Sequence, residues 1–132
     1  MISSTTEIRV RYAETDMMVI AYHGNYLTWF EVARVKMLDE INCPYRALEL
    51  QGFRLPVLEV SVRYLQPLTF DDRATVKATI SKKPMLRIEV DYEIRSEDKL
   101  IATGFTRHAF INPEGRPTRP PSDFLATVEP FF

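Results

Sequence analysis

The residues best suited to chemistry cluster near the N-terminus. Tyr12-Ala13-Glu14-Thr15-Asp16 is followed, after six residues, by His23 in the run Tyr22-His23-Gly24-Asn25-Tyr26. Asp16 stands in a loop just ahead of what reads as the start of a helix. Backbone N–H groups at such a start lack partners, and the helix dipole is positive there. They can receive a carbonyl oxygen as it gains negative charge. A carboxylate beside that pocket can attack the carbonyl or deprotonate a water. The combination suits acyl transfer with a good leaving group such as a thiolate, and it calls for no metal or organic cofactor. His23 can shuttle a proton near neutral pH or simply present its backbone N–H. Tyr22 can hydrogen-bond a substrate or pack. Each residue also has a plain structural reading: Asp16 closing an Asx-turn, Asn25 capping the helix, and the tyrosines filling core.

The elements that must hold these residues follow from periodicity. Glu7 to Tyr12 alternates, with Ile8, Val10 and Tyr12 on one face, and reads as a first strand. Gly24 to Ile41 reads as a helix. It is so rich in apolar residues (Tyr26, Leu27, Trp29, Phe30, Val32, Ala33, Val35, Met37, Leu38) that most of its circumference is expected to be buried. Its polar remainder, Thr28, Glu31 and Arg34, is expected to meet solvent or a second subunit. Pro44 opens a short helical piece to Leu50. Strands are expected over Val57–Leu65, Arg73–Ile80, Met85–Arg95 and Leu100–Ile111, joined by short antiparallel connections at Lys82-Lys83-Pro84 and Ser96-Glu97-Asp98-Lys99. In the Val57–Leu65 strand, Leu58, Val60, Val62 and Tyr64 share one face. Asn112-Pro113-Glu114-Gly115 is a turn, and Ser122 is expected to cap a last helix through Val128. One apolar helix and one antiparallel sheet give an α+β fold in which the sheet curls around the helix. The exposed edges and outer face of a single curled sheet favour pairing with another copy.

Composition narrows the function. At 132 residues the chain is expected to form a single domain, residues 1–132, able to bury about two-thirds of its unfolded surface. Seventeen basic against 18 acidic residues leave no electrostatic footprint for nucleic acid. The one cysteine, Cys43, makes no intrachain disulfide and reads as an inert thiol, and His23 and His108 are too few and too distant for a metal site. No apolar stretch is long enough for membrane insertion, and Met1–Thr6 lacks a secretory pattern, so a cytoplasmic location is expected.

The chain resembles the hotdog-fold acyl-CoA thioesterases of the 4-hydroxybenzoyl-CoA thioesterase family. The resemblance is carried by Arg9-Val10-Arg11-Tyr12-Ala13-Glu14-Thr15-Asp16 and by Tyr22-His23-Gly24-Asn25-Tyr26-Leu27-Thr28-Trp29-Phe30-Glu31 with Ala33-Arg34. It continues through Pro56-Val57-Leu58-Glu59, Tyr64-Leu65-Gln66-Pro67-Leu68, Phe70-Asp71-Asp72 and Ala102-Thr103-Gly104-Phe105-Thr106-Arg107-His108. It implies one long helix wrapped by about five strands, a homodimer or homotetramer with sites at subunit interfaces, and an acyl-CoA substrate whose coenzyme A is no separate cofactor. Asp16 matches the family's catalytic carboxylate, the amide near His23 matches the group that polarises the thioester carbonyl, and Tyr22 and His23 line the site.

Further expectations attach to it. Gly24 and Tyr26 border the site, and Glu59 can reach a partner's site to orient water. Coenzyme phosphates would find Arg63, Lys82, Lys83, Arg87, Arg107, Arg116 or Arg119, with Lys82-Lys83 the best-exposed pair. The family usually has a glycine in the loop after the aspartate, where Val19 stands here. A β-branched residue avoids positive φ, so the loop is expected to bend differently or the pocket to be narrower. Two rivals are an enoyl-thioester hydratase and a non-catalytic acyl-thioester binder. Asp16-Met17-Met18-Val19 lacks the hydratases' Asp-x-Asn-Pro pattern, and the retained Asp16 argues against a mere binder.

Overall fold

The computed structural model describes all 132 residues. Five strands, β1 (Ile2–Arg9), β2 (Val57–Tyr64), β3 (Arg73–Ile80), β4 (Ile88–Ser96) and β5 (Lys99–His108), form one antiparallel sheet in the order β1-β3-β4-β5-β2. Between β1 and β2 the chain crosses the sheet through helix α1 (Asn25–Glu40) and the shorter α2 (Tyr45–Leu50). A last helix, α3 (Ser122–Val128), follows β5. This is the hotdog arrangement, with α1 held against the inner face of the sheet.

Alternation dictates that face. Ala74, Val76, Ala78 and Ile80 of β3 and Ile88, Val90, Tyr92 and Ile94 of β4 are all buried, and they meet Trp29, Phe30, Ala33 and Met37 of α1 in one core. Phe30 lies flat on Tyr92, with ring centroids 4.2 Å apart. The same ring requires glycine at position 104, where a Cβ would stand 2.3 Å from Phe30 Cζ. The β4–β5 hairpin turns on Glu97 and Asp98, both at positive φ (50° and 64°), the geometry that suits the right-handed twist of the strands.

Several expectations are corrected. The first strand begins at Ile2 and stops at Arg9. Its pairing to β3 runs unbroken from Ile2↔Ile80 to Arg9↔Arg73, while the small polar Ser4 and Thr6 at inward positions disguise the alternation. Tyr12 leaves the strand face for an exposed 3-10 turn. β4 starts at Ile88, leaving Met85 and Leu86 exposed. Pro121, not Ser122, precedes α3 as its cap, and no side chain caps that helix.

Helix α1 is not buried on most of its circumference. Leu27, Val32 and Val35 remain exposed, because one sheet has only one concave face to offer. Likewise Leu58, Val60 and Tyr64 are exposed on β2, an edge strand whose outer ladder is unpaired within the chain.

Candidate active site

Arg11 to Tyr26 is built around a small hairpin. Thr15 bridges Ala21, the Asp16 N–H donates to the Ile20 carbonyl at 3.0 Å, and the Val19 N–H donates to the Asp16 carbonyl at 3.0 Å. Three residues, Met17, Met18 and Val19, form the tip. A loop of that length needs its third residue in the left-handed region, normally glycine. Val19 takes that conformation, with φ of 66°. Contrary to expectation, Val19 does not avoid positive φ: three hydrogen bonds made by Asp16 outweigh the local preference of a β-branched residue.

The third of those bonds is the Asx-turn. Asp16 Oδ1 accepts the Met18 N–H at 2.8 Å. Oδ2 has no partner in the chain and is available to a ligand. Asp16 is half-buried and lines a cleft of about 290 Å³ with Met18, His23, Tyr26, Tyr64 and Gln66. The cleft lies where the hairpin, the start of α1 and the end of β2 converge.

At the start of α1, Gly24 is the cap residue and Asn25 the first helical one, so Asn25 does not cap. Its side-chain amide instead donates to the Glu14 carbonyl at 2.7 Å. Asn25, Tyr26 and Leu27 N–H groups bond to the Tyr22, His23 and Gly24 carbonyls, but the N–H groups of His23 and Gly24 have no acceptor within the chain. Of these two, His23 lines the cleft with Asp16, and Gly24 follows it in the chain without lining the cleft. Tyr22 is half-exposed. Its ring packs on His23 at 4.4 Å and over Gly24, where a Cβ would meet it at 2.7 Å. It supports the cleft wall and is not part of the lining.

Glu59 lies elsewhere in the subunit. It pairs with Arg107 at 2.6 Å, and Arg107 also faces Glu89 at 3.5 Å. Lys82 is 3.7 Å from Glu89, and Lys83 is 2.5 Å from Glu129 at a second cleft with Met85 and Arg119. Of the basic candidates, these lysines and Arg107 are ion-paired, whereas Arg63, Arg87, Arg116 and Arg119 are not.

Two groups were missed in the sequence, Tyr64 and Glu14. Tyr64 donates to the His23 carbonyl at 2.8 Å and packs edge-on against Tyr26, with centroids 4.9 Å apart. Burial, then the neighbouring Tyr22, pushes its phenol up. Tyr26, buried beneath, is pushed up to about 12, chiefly by burial and then by Tyr64, so both stay protonated donors at neutral pH. Glu14 is a buried carboxylate behind the hairpin. Its only sequence signal is an acidic residue on the apolar side of a motif. His108 is fully buried and structural: Nδ1 lies 3.3 Å from the Leu55 carbonyl and Nε2 2.8 Å from Thr106 Oγ1. Cys43 is buried, and burial raises its thiol.

The family profile described as thioesterase-like superfamily matches residues 10–128. YneP of Bacillus subtilis (strain 168), a candidate acyl-CoA thioesterase by its name, is 42% identical over 77 residues, covering 58% of this chain and 56% of YneP. The acyl-CoA thioester hydrolase YbgC of Escherichia coli O157:H7 is 30% identical over 74 residues, covering 56% of this chain and 55% of YbgC. The chain thus spans about half the length of these curated relatives. Among solved structures, a DHNA-CoA thioesterase from Staphylococcus aureus superposes with a TM-score of 0.94 at 37% identity, covering 99% of this chain and 91% of that one.

Proposed function

The chain belongs to the thioesterase-like superfamily, and on that premise we propose that it hydrolyses acyl-CoA thioesters to a carboxylic acid and coenzyme A. One observation carries the reading. Asp16, with one carboxylate oxygen free, shares a cleft with His23, whose N–H and that of Gly24 are unpaired.

In this mechanism the thioester carbonyl oxygen rests on the His23 and Gly24 amides. These donors are fixed before reaction and strengthen as the oxygen becomes an oxyanion. The free Asp16 oxygen either takes a proton from a water that attacks the carbonyl carbon or attacks that carbon itself. In both routes the C–S bond breaks and the CoA thiolate leaves and is protonated. In the general-base route the acid's new oxygen comes from water. The nucleophilic route passes through an Asp16–acyl anhydride that water cleaves at either carbonyl, so the new oxygen comes from water or, when water attacks the Asp16 carbon, from Asp16. Single turnover in ¹⁸O-water separates the routes, since only the nucleophilic one can leave label in the Asp16 carboxylate. Tyr26 and Tyr64 supply an aromatic wall for the acyl group.

The reading includes a dimer or larger homo-oligomer. The unpaired edge of β2 and the exposed apolar residues Leu27, Val35, Leu58 and Val60 call for a second copy. Pairing there would bring residues of a partner toward the Asp16 cleft, and Glu59 and the unpaired arginines are candidates to orient water or bind coenzyme phosphates. No helix is long and apolar enough to cross a membrane.

The test is thiol release from a panel of short, long and aromatic acyl-CoAs, with DHNA-CoA among the aromatic members because the Staphylococcus neighbour is named for it. Release supports the reading, and its rank order identifies the acyl class. Loss of enoyl absorbance without thiol would favour a hydratase, and tight binding without turnover a binding protein.

A further inference from the structure

We propose that Glu14 is a positioning residue of this site. It locks the Asp16 hairpin to helix α1, so that the carboxylate and the His23 and Gly24 amides keep a fixed separation. The inference rests on the hydrolase reading above and adds a residue that does not touch substrate.

Glu14 is 6% exposed, yet its carboxylate is fully engaged. Oε1 accepts the backbone N–H of Arg11 at 2.8 Å. Oε2 accepts the indole Nε1–H of Trp29 at 3.1 Å and lies 3.4 Å from Arg11 Nη2. The main chain of the same residue works in parallel: its carbonyl accepts the Tyr22 N–H at 2.8 Å and the Asn25 side-chain amide at 2.7 Å. One residue therefore ties together the chain before the hairpin, both of the hairpin's arms, the first turn of α1 and, through Trp29, its second turn. Asp16 lies two residues away on one arm; His23 and Gly24 lie between Tyr22 and Asn25 on the other.

A buried carboxylate is costly unless well satisfied. Burial pushes the Glu14 carboxyl up, but the donors from Arg11 and Trp29 outweigh it and hold the group below the usual range, so it stays ionised at neutral pH. Holding a helix on a hairpin needs only apolar packing. A charged clamp that fixes distance and angle earns its place where small displacements matter, and displacements near 1 Å can cost about 100-fold in rate.

Glu14→Gln keeps the size of the side chain but has one acceptor oxygen for two opposed N–H donors. The chain has a single tryptophan, so one indole ¹H–¹⁵N resonance reports this hydrogen bond directly. Acyl-CoA hydrolysis and that resonance are measured on the full chain. For Glu14→Gln the indole resonance is expected to shift upfield and kcat to fall about tenfold or more, with KM within about twofold. Trp29→Phe removes one donor and leaves the carboxylate; it is expected to lower kcat by a smaller factor, again with KM little changed, and it serves if Glu14→Gln does not fold. A folded Glu14→Gln with a shifted resonance and wild-type kcat overturns the proposal alone. Wild-type protein that releases no thiol overturns the hydrolase reading instead, and the positioning role with it.

Discussion

The Tyr64 hydroxyl donates to the His23 carbonyl at 2.8 Å, joining the last residue of β2 to the residue two before α1. The same carbonyl accepts the Tyr26 N–H at 3.3 Å. The edge of the sheet thereby sets the orientation of the peptide that follows His23, whose N–H belongs to Gly24. In Tyr64→Phe the ring contacts with Tyr26 persist and only the hydrogen bond is lost. Its exposure makes it worth about 1 kcal/mol or less in stability. A several-fold fall in kcat with nearly unchanged denaturant midpoint is expected, and steady-state kinetics beside a urea titration checks it.

Val19 stores strain. A left-handed conformation costs an L-residue about 1–2 kcal/mol, while glycine gives back about 0.5–1 kcal/mol in unfolded-chain entropy. Val19→Gly is therefore expected to stabilise the protein by about 0.5–1 kcal/mol, raising the thermal midpoint by a few degrees. Calorimetry tests this, and a lowered midpoint would mean that the exposed valine makes a contact in the assembled protein that offsets its strain.

His108 makes stability depend on pH. Burial first, then the nearby Arg34 charge, lowers its pKa from 6.5 to about 4. The unfolded chain takes up this proton at higher pH than the folded one. The contribution is thus intact above about pH 6.5 and is lost as pH falls toward 4, a decrease of about 2 kcal/mol between pH 7 and pH 5. The depressed Glu14 carboxyl acts in the same direction at lower pH. In His108→Asn the loss between pH 7 and 5 should be mostly absent, as urea midpoints at the two pH values will show.

The β2 edge carries the expectation of assembly. Val60 is 42% exposed at the middle of that strand. Sedimentation at micromolar concentration is expected to give at least twice the chain mass, and Val60→Lys to shift the protein toward monomer with a parallel loss of activity. A wild-type monomer would remove the partner subunit from the site.

Much of this architecture was legible because it rests on local periodicity. Arg73–Ile80 reads as a strand from its own alternation and needs no tertiary information, and α1 announces itself by a long apolar-rich run, whereas α3 was expected from a Ser122 cap that the structure moves to Pro121. What was not legible depends on contacts distant in sequence. Ser4 and Thr6 join β1 because β3 pairs with them, and Glu14 is buried because Trp29, fifteen residues on, reaches its carboxylate. Val19 adopts positive φ because Asp16 closes the turn from three sides. Asp16 and His23 were visible as a motif, yet Tyr64 enters the cleft only through the return of β2 beside the helix start. The ion pair of Glu59 with Arg107 was likewise illegible, because it depends on β2 pairing with β5 in the register that sets the two residues opposite each other.

The most direct test is thiol release by Asp16→Asn beside the wild type, on whichever acyl-CoA the wild type hydrolyses fastest. The asparagine oxygen can still accept the Met18 N–H, so the turn and the fold survive while base and nucleophile are lost. A fall in kcat of about 1,000-fold or more, with an unchanged thermal midpoint and retained acyl-CoA binding, is predicted. Turnover within about tenfold of wild type would place the chemistry on another group and contradict the account.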